Sequence, residues 1–199
     1  MKGDPGHDWS HVDRVRKLAL FIGKKEKADL FIVELAAILH DVADHKFYRG
    51  DDQVGPKTAQ AWLRKLRLDP KTVAAVGFII AEVSFKGAGV KDNLKSREGN
   101  IVRDADKLDA LGAIGVARAF SYGGHFNTPF YLPGVKPEFH TSFKQYQRGG
   151  ASTINHFYEK LLLLKNRMST KTAKKLAIRR HQFMLVFLKE FFREWKENA

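Results

Sequence analysis

The segment 28–45 is the most apolar part of the sequence, and it ends in ionisable side chains. Its apolar residues lie on nearly all sides of a helix, which predicts a central, buried helix rather than a surface one. The polar residues at its end fall within one helical turn: His40, Asp41 and Asp44. Because burying an unpaired charge costs several kcal/mol, these side chains require a partner. A divalent cation would neutralise the carboxylates and accept the imidazole lone pair together.

Helical periodicity extends over most of the chain, with apolar residues at three- and four-residue spacing. The predicted helices cover 9–22, 28–45, 57–66, 70–84, 97–121, 152–166 and 170–196. Asp8 stands where it can cap the first of them. Since no stretch is a convincing strand, the sequence predicts a single all-α domain over 1–199. Residues 125–150 are rich in proline, glycine and aromatic residues and predict a long ordered loop or lid over a site.

Composition narrows the chemistry and the partners. With no cysteine, the chain can form neither disulfides nor thiolate metal sites, so any metal must take nitrogen and oxygen ligands. No run approaches the roughly 18 apolar residues of a membrane span, and a cytoplasmic protein is the simplest interpretation. The formal net charge of +13 fits a polyanionic partner or a phosphate-attracting site, and equally basic residues that only solvate outer helix faces.

Further metal ligands must come from other helices. His11 lies on the apolar face of the first helix and supplies a second imidazole. The fifth predicted helix holds an acidic cluster on two different faces. Asp106 shares a stripe with Val102, whereas Asp104 shares one with Leu108. Periodicity alone therefore leaves open which of these two carboxylates turns inward.

At these positions the chain resembles the HD-domain phosphohydrolase superfamily. His11, then His40-Asp41, then Asp106 follow its H…HD…D pattern. Longer strings resemble the bacterial YpgQ/YedJ-type group within that superfamily: GHDWSHVDRV, AAILHDVADHKF, SFKGAGV, EGNIVRDADKLDALGAIGVARAF and NHFYEKLLLLK. With their surroundings these strings cover nearly the whole chain. Four ligand-type positions in order, inside several matching strings, are a far more specific signal than a lone His-Asp pair.

The resemblance implies a compact helical HD fold with one divalent metal ion, held by His11, His40, Asp41 and Asp106. Asp106 is chosen over Asp104 by matching its Ala-Asp-Lys-Leu segment to the family. The resemblance favours manganese, and Mg, Co, Ni and Fe also suit two imidazoles and two carboxylates. The implied activity is nucleotide phosphohydrolysis, with pyrophosphohydrolysis of nucleoside triphosphates by metal-activated water as the leading form, in a monomer or homodimer.

Residues near the pattern are assigned supporting roles. Asp44, one turn after His40, is predicted to orient the attacking water or accept its proton. Four cationic side chains are candidates for contacts to the substrate phosphates: Lys86, Lys107, Lys46 and Arg118. The glycine-rich neighbours of Lys86 also suit an ordinary helix exit. Lys107 could equally pair with a neighbouring carboxylate.

Other functions compete with this hypothesis. The same metal centre could hydrolyse a signalling nucleotide, such as an alarmone or a cyclic dinucleotide, or act as a nucleotide phosphatase. The net charge of +13 could instead mark a nucleic-acid-binding module in which the metal is structural. Asp44 argues against that alternative, because a structural site gains nothing from an extra carboxylate beside an open coordination position.

Overall fold

The computed structural model describes residues 8–42, 53–83, 95–138 and 151–197. In these ranges it contains eight α-helices, one 3₁₀ helix and no strand, which confirms the predicted all-α class. The helices are α1 (Trp9–Glu26), α2 (Leu30–Leu39), α3 (Val54–Lys65), α4 (Pro70–Val83), α5 (Arg97–Asp109), α6 (Gly112–His125), α7 (Thr153–Glu159), the 3₁₀ helix (Leu161–Arg167) and α8 (Lys171–Glu197). None of the helices in these ranges has the length and apolar character needed to cross a membrane.

The helices group into two compact units, with a boundary between Asp106 and Lys107. In the first unit α1 packs against α2, α2 against α4 and α3 against α4, and α5 belongs to it as far as Asp106. In the second unit α6 packs against α7 and α8, and the 3₁₀ helix packs against the same two helices. The prediction of one domain over 1–199 stays a prediction.

Each unit has an apolar core of its own. In the first, the buried stripe of α1 contains Val15, Ala19 and Ile22 at helical spacing. In the second, the ring of Phe157 on α7 stacks on that of Phe187 on α8, with centroids 5.7 Å apart. Burying one large apolar side chain contributes roughly 1.5–3 kcal/mol, so packing rather than helix propensity holds these helices in place.

Side chains that cap helix ends determine where α1 and α2 begin. The carboxylate of Asp8 accepts a hydrogen bond from His11 N at 2.8 Å, which confirms the predicted cap of α1. Asp29 caps α2 in the same way by accepting from the amides of Phe31 and Ile32. Each cap satisfies backbone N–H groups that have no partner inside the helix.

α2 differs from the predicted helix 28–45 in length and burial. It ends at Leu39, with His40 as its C-cap, while residues 43–52 lie outside the described ranges. Packing against α1 and α4 buries Val33 and leaves Phe31 57% exposed. The expected burial on all sides is therefore wrong, because the neighbouring helices cover only part of the surface of α2.

Two predicted long helices are broken, and the predictions of continuous helices over 97–121 and 152–166 are wrong. α5 ends at Asp109, Leu111 is extended (φ −116°, ψ 156°) and Gly112 is left-handed at φ 76° before α6 begins. Leu111 stays buried across the break, so the apolar spacing that predicted one helix is preserved. The second break lies at Lys160 (φ −137°, ψ −60°), between α7 and the 3₁₀ helix.

The described part of the predicted lid, residues 126–138, is an ordered loop. It is anchored to α7, because Pro129 O accepts from Thr153 N at 2.9 Å and Glu138 N donates to Glu159 Oε1 at 2.9 Å. The ring of Tyr131 meets aromatic rings of α8 edge-on. Residues 139–150 lie outside the described ranges, and the role as a lid stays a prediction.

Gly115 is expected to be essential for the break before α6. A Cβ at this position would collide with the backbone carbonyl of Ala110. We expect Gly115→Ala to lower the free energy of unfolding by about 1–3 kcal/mol, as overpacking does. Gly124→Ala is the matched control in the same helix, since nothing lies within 4 Å of its Cβ position, and it should be neutral or stabilising by up to about 1 kcal/mol. Urea unfolding of both variants measures the difference, and equal effects would contradict the steric argument.

His156 should make stability depend on pH. Burial, with a smaller effect from the charge of Lys160, lowers the pKa of His156 to about 3 from its ordinary 6.5. Between these values the unfolded chain binds a proton that the folded chain does not, so the free energy of unfolding falls as the pH drops below 6.5. One such group contributes a slope of at most about 1.4 kcal/mol per pH unit. Urea unfolding at pH 7, 6 and 5 should show a shallower decline for His156→Gln than for the wild type, and identical slopes would refute this.

Candidate metal centre

His11 is positioned by the first turn of α1. It is the third residue of that helix, and the Asp8 cap accepts from its backbone N–H at 2.8 Å. Its side chain is 2% exposed, on the same face as Val15 and Ala19. The Asp8 cap that begins α1 therefore also fixes the position of His11, whose imidazole is buried in the first unit.

His40 is positioned where α2 ends. Its side chain is 3% exposed, and its ring Nδ1 lies 2.8 Å from Ala37 O. A carbonyl oxygen can only accept, so Nδ1 is the donor in this hydrogen bond and Nε2 is the ring nitrogen left for another partner. That Nε2 is buried and has no hydrogen-bond partner among the described residues. A buried imidazole nitrogen of this kind is a typical metal ligand.

Carboxylates surround the two imidazoles. Asp41 Oδ2 lies 3.4 Å from His11 Nε2 and 3.4 Å from His40 Nε2. Asp106 Oδ1 lies 3.6 Å from His11 Nε2. One donor atom each from His11, His40 and Asp106 can be chosen so that all three lie within 4.8 Å of one another. All four side chains belong to the first unit.

These separations fit a shared ion better than direct hydrogen bonds. All three nitrogen–oxygen distances exceed the 2.7–3.2 Å of ordinary N–H···O bonds. Donor atoms held about 2.0–2.2 Å from one ion lie about 3–4 Å apart. The two carboxylates also carry a charge that a divalent cation balances. The donor set therefore suits a divalent metal ion.

Asp104 and Asp106, which periodicity could not separate, differ in exposure and in neighbours. The side chain of Asp106 is 32% exposed and lies beside His11. Asp104 is fully buried, like Ile101 and Leu108 on the same stripe of α5. The carboxylate that the structure brings to the imidazoles is thus that of Asp106, which also has the accessibility that a substrate would need.

The other predicted site residues have different surroundings. Asp44, Lys46 and Lys86 lie outside the described ranges. Lys107 is 6% exposed and donates from Nζ to Arg167 O at 3.2 Å. Arg118 pairs with the buried carboxylate of Asp109 at 2.8 Å. Both described cations therefore have protein partners in the second unit, and their contacts to substrate phosphates stay predictions.

One functional group was missed by reasoning from the sequence. The carbonyl of Ala37 orients His40, and a backbone group has no signature in residue identity. The only sign in the sequence was that Ala37 lies three residues before a histidine at the end of a helix.

Comparisons with known proteins agree with this geometry. The model of the HD domain family matches residues 8–111. The chain belongs to the HD domain family. This HD-domain chain is 41% identical over 189 residues to the YpgQ protein of Bacillus subtilis (strain 168), covering 93% of the chain and 82% of that relative. The resemblance drawn from the sequence is thereby confirmed.

Solved structures show the same relationship. An HD-superfamily hydrolase from Bacillus thuringiensis matches with a TM-score of 0.74 and 40% identity, covering 96% of this chain and 87% of that one. Bacillus subtilis YpgQ in complex with ADP matches with a TM-score of 0.72 and 33% identity, covering 95% and 90%. The HD-domain chain is accordingly an HD-superfamily hydrolase, the class of metal-dependent phosphohydrolases.

Removing a donor should weaken metal binding to this HD-domain chain. We expect His40→Ala and Asp106→Asn each to lower the affinity for Mn²⁺ by at least about 100-fold, because even groups that only orient ligands contribute about 10–100-fold. His125→Ala, which removes an exposed imidazole of the second unit, is the control and should leave the affinity unchanged. Titration calorimetry of metal-stripped protein measures all three. Wild-type affinity in His40→Ala would exclude His40 as a ligand.

Proposed function

We propose that this chain is a manganese-dependent nucleotide pyrophosphohydrolase that cleaves nucleoside triphosphates into monophosphate and pyrophosphate. The observation that carries the proposal is the convergence of His11, His40 and Asp106 around buried donor atoms within 4.8 Å of one another. When bound, a divalent ion supplies a water molecule of lowered pKa and a polarised phosphoryl group. We assign its ligands as His11, His40, Asp41 and Asp106.

The nucleotide part of the proposal is supported by a relative and by charge. The YpgQ protein of Bacillus subtilis has been solved in complex with ADP. A formal net charge of +13 also raises the local concentration of polyphosphate anions at the protein surface. Both observations favour an anionic nucleotide over a neutral substrate.

The residues of the chain have distinct proposed tasks. The Ala37 carbonyl holds the His40 ring so that Nε2 faces the carboxylate of Asp41, 3.4 Å away. We assign to Asp44, four residues after His40, the acceptance of a proton from the attacking water. Four cations are the proposed phosphate contacts: Lys46, Lys86, Lys107 and Arg118. The last two also bind protein groups.

A nucleotide panel tests the proposal. We expect metal-stripped protein to hydrolyse nucleoside triphosphates only after Mn²⁺ is added, with monophosphate and pyrophosphate as products, and to lose activity on chelation. His40→Ala and Asp41→Ala should each lower the turnover at least about 100-fold, the scale on which metal-centre partners act. Chromatography of the nucleotide products, together with separate assays of phosphate and pyrophosphate, measures both quantities.

Two results would overturn parts of the proposal. Unchanged turnover in His40→Ala and Asp41→Ala would remove the reaction from this centre. Diphosphate and phosphate as products would replace pyrophosphohydrolysis by terminal phosphate hydrolysis. An alarmone and a cyclic dinucleotide belong in the same panel, because preference for either would redirect the assignment to a signalling nucleotide.

A further inference from the structure

Two neighbouring side chains of α5 hold the turn between α1 and α2. The guanidinium of Arg97 donates to Lys27 O at 3.0 Å. The carboxylate of Glu98 accepts from Asp29 N at 3.3 Å. The two bonded backbone groups flank Ala28, so α5 binds the turn from both sides of one residue. We call these four interacting residues the turn clamp: Lys27, Asp29, Arg97 and Glu98.

The bonded groups are ones that need outside partners. Lys27 is the C-cap of α1 and is left-handed at φ 55°, and Asp29 is the N-cap of α2. Helix ends leave backbone groups without intrahelical partners, and side chains of α5 supply partners for two such groups here. Glu98 is itself held, because its other carboxylate oxygen lies 3.4 Å from the hydroxyl of Ser96, which also accepts from Gly99 N at 3.1 Å.

The three helices that meet at the turn clamp also carry the candidate metal centre. α1 bears His11, His40 directly follows α2, and α5 bears Asp106 about two turns after Glu98. Apolar burial is non-directional and limits how far one helix slides along another less strictly than hydrogen bonds do, which have strict distances and angles. Contacts at the first turn of α5 therefore contribute to its axial position, and a helix transmits that position to Asp106.

We infer that Arg97 and Glu98 are positioning residues for the metal centre. They hold α5 in the register that brings the Asp106 carboxylate to His11, 3.6 Å away. Neither residue touches the metal or the substrate in this assignment, and their effect passes through the turn at 27–29. The inference rests on the metal centre of the proposed function.

Metal affinity of the full chain tests the clamp. We expect Glu98→Ala and Arg97→Ala, alone and together, to weaken Mn²⁺ binding, with about a tenfold loss for the double variant, the lower end of what ligand-orienting partners contribute. Glu98→Gln keeps a side-chain oxygen for Asp29 N–H and should retain the wild-type affinity within about twofold. Titration calorimetry on metal-stripped, folded protein gives these values, and circular dichroism verifies the fold.

A salt bridge elsewhere in the same unit provides the matched control. Arg16 joins α1 to α2 through Glu34 at 2.8 Å and also binds Asp13. Arg16→Ala thus loosens the same pair of helices without altering the contacts made by α5. It should keep the wild-type affinity for Mn²⁺ and the wild-type visible absorption spectrum of bound Co²⁺, which reports ligand geometry, whereas the double clamp variant should change both.

The outcomes separate the inference from the function on which it rests. Weaker Mn²⁺ binding in the alanine variants of the clamp, together with wild-type affinity in Glu98→Gln and Arg16→Ala, supports the clamp. Wild-type affinity and Co²⁺ spectrum in the double variant overturn the clamp alone. An equal loss in Arg16→Ala also overturns it, because the effect would then be general loosening. If the wild type binds neither metal, the metal centre and the proposed function fail together.

Discussion

The hydrogen bond from His40 Nδ1 to the carbonyl of Ala37 is the interaction on which the centre depends. It commits the ring proton to the backbone and leaves a buried lone pair at Nε2 beside Asp41. Two acceptors facing each other in a poorly solvated site are unfavourable unless a cation lies between them. This single bond therefore links the end of α2 to the candidate metal centre.

The candidate ligands share a position in the fold, since each stands near a helix end. His11 is in the first turn of α1, His40 follows α2 directly, and Asp106 is in the last turn of α5. Helix ends require partners from outside the helix, and the Asp8 cap that provides one at the start of α1 also fixes the position of His11. The long apolar stripes behind these ends hold the helices, so the centre can be partly accessible while its supports are buried.

The high positive charge has consequences beyond substrate attraction. Two cations predicted to contact phosphate, Lys107 and Arg118, also bind a backbone carbonyl and Asp109. Arg180 donates to the backbone carbonyl of Leu108 near the end of α5. Part of the charge therefore stabilises a helix C-terminus, where cations are favourable, and the contacts of Lys107 and Arg118 to substrate stay predictions.

Local sequence patterns were enough to predict much of the fold and the family of this protein. The all-α class and the Asp8 cap could be predicted from apolar spacing and cap chemistry, and membership of the HD domain family from the resemblance of the ordered His and Asp positions and the longer strings to that family. The break at Leu111 could not, because a residue that stays buried keeps its place in the apolar pattern whether the backbone is helical or extended. The resemblance named Asp106, but apolar spacing could not choose between Asp104 and Asp106, since a helix with two candidate faces acquires an inside only when other helices pack against it.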